Sequence, residues 1–409
     1  MRMRVLHCIP TLDQGGAEKL LLDLVGQDED SDHIVVKLCR GRHFFDDRMQ
    51  ADIFTVGMPR SLATIALLPW SAIQFVKFLR AHRPNVVVGW HYYGAIFASL
   101  GSLLRIPVIW SIHNTADIDQ PSALRPWTRL ACWLCSLLSH VSPTLIHYCS
   151  EQGRTTHEAL CFARAKARVV YNGVDVFRFS IGTSGSHESS PTENDTVAHS
   201  STFAPQEGSP PPVIGCLARF HPSKDHGTLL RAAAILKESG RKFKLLLAGQ
   251  GCDLDNKKLA RLVKKNGLAD IVTCLGAVKD TAELYRRLDL VVLCSSSGES
   301  MPMTVLEALA SGKSAVVTDV GAAKSVLGEF GFVAPPGRPV ELAALIERAV
   351  WQDRDLKDRA RLLAPSYVAE HYSLSVCTRR WQKLIAEAAS PTIVPNGQSE
   401  AVKVSGRPR

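Results

Sequence analysis

Two doubly wound α/β domains are the fold class this sequence predicts, and three observations carry it. Short β-branched or Leu-rich runs alternate with longer amphipathic segments. That alternation stops at a Ser/Pro-rich break and then begins again, and 409 residues suit two or three domains better than one. With 46% hydrophobic and 21% charged residues, the chain has apolar material for sizeable cores, and wholesale disorder is excluded.

In the first half, "RVLHCI", "HIVVKLC", "NVVVGW", "VIWSIH" and "LIHYCS" read as buried strands. Segments 16–26, 69–82 and 92–104 between them read as helices. After residue 212 the strands are "VIGCLA", "KLLLAG", "VTCLG", "LVVLCS" and "SAVVTD", with helices near 225–239, 255–266, 281–287, 303–311 and 340–352. The expected domains are therefore 1–179 and 213–372. Residues 180–212, rich in Ser, Thr, Pro and Gly and without Lys or Arg, cannot bury enough apolar area to offset their ordering entropy. They are expected to be a disordered insertion or linker, with an acidic tether as the functional alternative, and residues 388–409 are expected to be a loose tail.

The charge is uneven. The first 179 residues hold 19 Lys and Arg against 15 Asp and Glu, while residues 213–409 hold 29 against 20, and the chain's net charge is +9. A basic balance favours anionic partners such as phosphates or an acidic lipid surface. No nucleic-acid motif accompanies it, so no nucleic-acid partner is expected. The 11 Cys are scattered and mostly lie in apolar runs, which fits a reducing compartment. Cys132 and Cys135 form a CxxC, but "LACWLCSLL" is an apolar helical pattern with no second pair at zinc spacing, and reads as buried helix. The N-terminus reads as a first strand and not a signal peptide. No run approaches the roughly 20 apolar residues that span a bilayer; the nearest, 62–79, is interrupted by Pro69, Gln74 and Lys77. A soluble or membrane-surface protein is expected.

Several residues carry chemistry. Gly15 and Gly16 precede a helix, where glycine lets backbone approach a ligand and the helix N-terminus offers N–H groups to a phosphate or sugar hydroxyl. A tight βα turn alone is the competing reading, and the absent GxGxxG spacing disfavours a dinucleotide. His91 and His113 each end a strand, on the edge where open α/β sheets bind ligands; His113, followed by a polar loop, is the better candidate. Arg219 and Lys224 follow the first strand of the second half, where a planar fork and a point charge suit a diphosphate, although any basic loop resembles this. In "SSSGESMPMTVLEALASG", Glu299 falls in a loop, Ser300 is placed to cap the following helix and Pro302 suits its first turn. The N–H groups of Met301, Met303 and Thr304 then form an anion or hydroxyl site between Glu299 and Glu307. Glu307 sits among apolar residues, where an idle charge would be costly.

Taken in order, "GGAE", the "YNGVD" at 171–175, the Arg219 and Lys224 pair, and Glu299 and Glu307 followed by "ALASG" resemble a retaining glycosyltransferase of family 4 with the GT-B fold. The resemblance covers nearly the whole chain outside 180–212 and the tail. It implies two Rossmann-like domains facing across a cleft, with a final helix, 373–387, crossing back to the first domain. It further implies a nucleotide diphosphate sugar bound mainly by the C-terminal domain and a carbohydrate or lipid-linked acceptor bound mainly by the N-terminal one. Arg219 and Lys224 would hold the diphosphate, Glu307 the ribose hydroxyls and Glu299 the transferred sugar. Gly16 would approach the donor phosphates, His113 would contact the sugar near the reacting carbon, and Val278 would lie on the loop that touches the base.

Two departures bear on the sugar. Residues 321–324 run Gly, Ala, Ala, Lys where relatives often have an acidic residue, and Met301 stands where an aromatic is frequent. Glycosyl transfer builds an oxocarbenium-like centre while negative charge grows on the leaving diphosphate, so fixed cations act where charge develops. No Asp-x-Asp directly ends a predicted strand to hold a divalent ion for the diphosphate, so a metal is not expected to be required, and no cofactor is expected besides the nucleotide diphosphate sugar as donor substrate. The expected setting is cytoplasmic, either free or peripheral on the inner face of the plasma membrane, in cell-surface polysaccharide or glycolipid synthesis. A GT-B sugar nucleotide epimerase would instead turn over without acceptor, and a non-catalytic nucleotide-sugar binder would form no product with any acceptor.

Overall fold

The computed structural model describes residues 2–13, 15–41, 45–58, 68–115, 126–180 and 210–390. The expected insertion lies almost wholly outside the described residues, as does the tail beyond Ser390. The first domain is a seven-stranded sheet of β1 (Met3–Ile9), β2 (Ser31–Lys37), β3 (Asp52–Thr55), β4 (Val86–Trp90), β5 (Val108–Ile112), β6 (Leu145–Tyr148) and β7 (Ala167–Val169). Its spatial order is β3-β2-β1-β4-β5-β6-β7, and every pairing is parallel. Helices α1 (Gly16–Gln27), α2 (Leu68–His82), α3 (His91–Ala98), α4 (Pro126–Ser139), α5 (Glu151–Ala159) and α6 (Val176–Phe179) complete it.

The second domain repeats the plan. Strands β8 (Val213–Leu217), β9 (Lys244–Ala248), β10 (Val272–Cys274), β11 (Leu290–Leu293), β12 (Ala315–Thr318) and β13 (Gly331–Ala334) lie in the order β10-β9-β8-β11-β12-β13, again all parallel. Around them are α7 (His226–Glu238), α8 (Lys257–Lys265), α9 (Thr281–Arg286), α10 (Met303–Ala310), α11 (Ala323–Leu327), α12 (Pro339–Glu347), α13 (Arg354–Tyr372) and α14 (Leu374–Ala389). This is the GT-B architecture. Strand order reverses between β1 and β4 in one sheet and between β8 and β11 in the other, the places where such sheets bind ligands.

Burial on both faces explains why the central strands read as unbroken apolar runs: all five residues of β4 and of β5 are buried. The helices bury one stripe each; on α1 it is Ala17, Leu20, Leu21, Leu24 and Val25, spaced at three and four. One face of the first sheet packs on α2, α3 and α4 through Phe75, Leu79, Tyr92, Ala95, Ala131 and Cys135. The other packs on α1 and α14, where Trp381, Leu384, Ile385 and Ala388 join Val5, Ile9 and Leu20 in one cluster. Helix α14 thus returns to the first domain, and it runs through Ala389 rather than stopping at 387, because Ala388 is buried in that cluster.

Strands β3, β7 and β13 are absent from the sequence reading for a physical reason: they are short edge strands whose residues are mostly half-exposed, so they lack the apolar run. Cys132 and Cys135 are buried in α4, and all 11 cysteines are free thiols. No helix among the described residues is long and apolar enough to cross a membrane.

Candidate active site

Residues that follow the C-terminal ends of strands in the two sheets contact one another, Ser300 against Cys149 and Ser150, and Lys19 against Glu307. Loops leaving β8 and β11, the strands beside the second reversal, bring Lys224 and Glu299 into contact, and Arg219 stands on the same loop as Lys224. Arg219, two residues beyond β8, is exposed and has no side-chain partner among the described residues. Lys224 closes a single helical turn, Pro222–Lys224, before Asp225, whose left-handed backbone (φ 42°) and side chain cap α7 at Thr228. The Lys224 ammonium donates to Glu299 Oε1 in the loop after β11, and Ser295 Oγ donates to the same oxygen at 2.6 Å. Glu299 is buried, so its charge depends on these donors.

Glu307 lies one helix further on. Both of its oxygens are engaged: Oε1 accepts from Lys19 Nζ at 2.9 Å, and Oε2 accepts from the Tyr285 hydroxyl at 3.0 Å. Burial alone would pull the Lys19 ammonium down, but the Glu307 carboxylate outweighs it and the net shift is upward. Burial and the Glu307 charge push the Tyr285 phenol well above its ordinary value, so it keeps its proton and acts as a donor. Asp23, one turn along α1 from Lys19, is pushed up to about 6 by burial, against the pull of Lys19.

Ser300 does not cap α10. Pro302 occupies the cap position with no side-chain bond, and Ser300 Oγ instead lies 3.0 Å from Cys149 Sγ and 3.1 Å from Ser150 Oγ, both at the end of β6 in the first domain. Met301 is buried, and its sulfur accepts the Asn172 N–H at 3.0 Å. These contacts win over capping because the loop is clamped between domains. The first-turn N–H groups of Met303 and Thr304 have no partner within the helix, while the Thr304 hydroxyl ties α10 to β8 through the Leu217 carbonyl at 2.9 Å. Gly321 has φ +61°, and a Cβ there would sit 1.6 Å from the Glu299 carbonyl oxygen, so the chain at 321–324 is shaped by close packing on the Glu299 loop. Val278 is half-buried, packed on the cluster that holds Tyr285 and Met301.

From the first domain, Gly15 is the extended N-cap of α1, and a Cβ on Gly16 would lie 3.5 Å from the Met303 side chain. The two strand-end turns therefore touch. His113 follows β5 and stacks on Trp90, with ring centroids 5.0 Å apart and 9° between planes. Burial, followed by His147 and His91, holds His113 well below the usual imidazole range, so it is neutral at pH 7. Lys19, Tyr285 and Ser295 were not singled out from sequence. Only Lys19 carried a signal, as a charge one turn into a helix beside the Gly-Gly turn.

Family profiles match both halves of the chain: the one described as Glycosyltransferase Family 4 spans residues 14–178, and the one described as Glycosyl transferases group 1 spans residues 211–351. The chain is a family 4 glycosyltransferase. It is 26% identical over 327 residues to the Bacillus subtilis (strain 168) protein EpsF, assigned as a glycosyltransferase, covering 77% of this chain and 79% of that one. A D-inositol 3-phosphate glycosyltransferase of Nocardia farcinica matches at 28% identity over 54% of this chain and 47% of its own length. Apart from EpsF, the curated relatives are matched over less than half of their length. Among solved structures, Anabaena HepE in complex with UDP and glucose superposes with a TM-score of 0.74 at 20% identity, over 94% of this chain and 100% of that one. This likeness establishes that the glycosyltransferase shares the fold of that protein.

Proposed function

We propose that the protein is a retaining, metal-independent glycosyltransferase that moves a sugar from a nucleotide diphosphate sugar to a hydroxyl of a carbohydrate or lipid-linked acceptor, in cell-surface polysaccharide or glycolipid synthesis. The observation that carries this reading is the placement of Arg219 and Lys224 on the loop after β8, and of the bare first turn of α10 after the neighbouring β11, at one strand reversal beside two buried carboxylates. As the bond from the sugar to the diphosphate breaks, charge grows on the leaving oxygen, where the Arg219 guanidinium and Lys224 ammonium stabilise it without a divalent ion. Glu307 suits a vicinal diol, as on ribose, and Glu299 suits hydroxyls of the transferred sugar. The complexes of HepE with UDP and with UDP-glucose support a uridine donor as the first to try.

The experiment is turnover of a panel of uridine, guanosine and adenosine diphosphosugars with and without acceptor, with EDTA present, and NMR of the product's anomeric configuration. Net retention with an acceptor and EDTA supports the proposal. Inversion, a requirement for metal, or conversion of the donor sugar without acceptor sinks it in turn for mechanism, cofactor and reaction class.

One surface favours an acceptor at a membrane. The outer stripe of α4 exposes Trp127, Leu130, Trp133 and Leu137 beside Arg129, and residues 120–150 contain no Asp or Glu. An aromatic and basic face of this kind suits an anionic lipid surface.

A further inference from the structure

His113 belongs to a directed chain of hydrogen bonds that runs into the core beneath it. Its Nε2 lies 2.7 Å from Ser111 Oγ, Ser111 Oγ lies 3.0 Å from His147 Nδ1, and His147 Nε2 lies 2.9 Å from the Val170 carbonyl oxygen. The far end fixes every proton. A carbonyl only accepts, so His147 Nε2 carries the hydrogen. Burial holds the His147 imidazole down at about 4, so it has no second proton, and its Nδ1 is an acceptor. The Ser111 hydroxyl must then donate to His147, which leaves its oxygen to accept from His113 Nε2–H. His113 Nδ1 is consequently a bare lone pair. That nitrogen is buried and has no hydrogen-bond partner among the described residues.

The rings are held as firmly as the protons. Trp381 of α14 packs 4.5 Å from the His147 ring and stacks on Trp90, which stacks on His113. Ser111 and His147 are themselves fully buried. An unpaired buried acceptor is costly to keep unless something fills it when the enzyme works.

We propose that Ser111 and His147 are positioning residues that lock His113 in its Nε2–H tautomer, so that Nδ1 accepts a hydrogen bond from a hydroxyl of the bound sugar. This rests on the glycosyl-transfer reading above, and it adds a specificity rule: the hydroxyl at this point must donate, so an analogue with fluorine in its place is rejected. The device explains how a neutral imidazole is presented with one face of its chemistry only.

Nitrogen-15 NMR of histidine-labelled protein tests the lock without any substrate. His113, identified by the signals lost in His113→Asn, is expected to show an unprotonated Nδ1 and a protonated Nε2. Ser111→Ala removes the link and is expected to give exchange-averaged nitrogens, while His147→Asn, which retains an acceptor oxygen near the Nδ1 position, keeps the wild-type pattern. A wild-type His113 protonated on Nδ1, or an unchanged pattern in Ser111→Ala, overturns the lock. The second arm compares a turned-over donor with its deoxyfluoro analogues. Wild type is expected to reject one analogue by about tenfold or more in kcat/KM, the worth of about one hydrogen bond, and Ser111→Ala to relax that ratio. Rejection of no analogue overturns the role of Nδ1. If no nucleotide sugar is turned over at all, the transfer reading fails while the NMR result stands by itself.

Discussion

Lys19 Nζ and Glu307 Oε1 lie 2.9 Å apart although 288 positions separate them in the chain, and the pair bridges the two domains. Glu307 is the carboxylate expected to meet the ribose, so a donor must share it with a lysine of the opposite domain. Since both side chains are mostly buried, removing one partner strands the other's charge. Lys19→Met, Glu307→Gln and the double variant form a cycle in which a coupling of about 1.5 to 3 kcal/mol is expected from denaturant unfolding. Effects that add to within about 0.5 kcal/mol would mean that the domains do not close on this pair in solution.

The two cations of the crevice should separate by stability although they resemble each other in activity. Each of Arg219→Ala and Lys224→Ala is expected to lower kcat by about 10² to 10³, the usual cost of one preorganised charge-stabilising donor. Arg219 has no partner to lose, so its variant should melt with the wild type. Lys224→Ala leaves buried Glu299 with Ser295 as its remaining side-chain donor and should melt several degrees lower. Wild-type turnover in both variants would remove the diphosphate assignment.

How far the sequence reached follows from what each signal depends on. Strands such as β4 and β12, buried on both faces, declare themselves in five or six letters, and so do the helices with a regular apolar stripe. Gly16, Arg219, Lys224 and Glu299 stand in or beside the turns between a strand and the next helix, and Glu307 is a charge inside an apolar helix, so each carries its own local pattern. Tyr285 and the Ser111–His147 relay had no such pattern, because each is defined by a partner in another element, and Lys19 showed only as a charge one turn into the helix after the Gly-Gly turn, with nothing local to name Glu307 as its partner. Ser300 shows the opposite failure: a good local capping signal lost to a tertiary contact with Cys149 and Ser150.

Mild acid should weaken the fold through its buried histidines. Burial holds His147 and His157 down at about 4, and His7 and His113 also fall well below the ordinary imidazole value. Between about pH 6.5 and pH 4 the unfolded chain binds protons that the fold refuses, so stability falls as pH drops through that window. His147 and His157 should each cost roughly 2 kcal/mol by pH 5. Guanidinium unfolding at pH 7.5 and pH 5 is expected to show a clear loss of midpoint, and equal midpoints would show that these imidazoles are protonated within the fold. Asp23, held near 6, works in the opposite direction, since a raised carboxyl stabilises the fold only when protonated.

The last prediction concerns α4. Its inner face buries Ala131, Cys132, Cys135 and Ser139, which is what a core helix needs, yet its outer face carries Trp127, Leu130, Trp133 and Leu137 where a solvated helix would carry charge. Trp133 is 60% exposed and Leu137 53%, so neither contributes much to the core. Arg129 lies on the same helix, and Lys166 donates to the Ser139 and His140 carbonyls at its end, where Arg164 extends into solvent. A lipid surface satisfies both features: the aromatic side chains enter the interface, and each basic residue adds roughly 1 kcal/mol on an anionic surface, screened by salt. The protein is expected to pellet with anionic vesicles and not with neutral ones, and to be released by high salt. Trp133→Glu with Leu137→Glu should weaken that binding by at least about tenfold while leaving the melting temperature unchanged, because the substituted side chains face solvent. Equal pelleting with neutral and anionic vesicles, or none with either, overturns the assignment of this face.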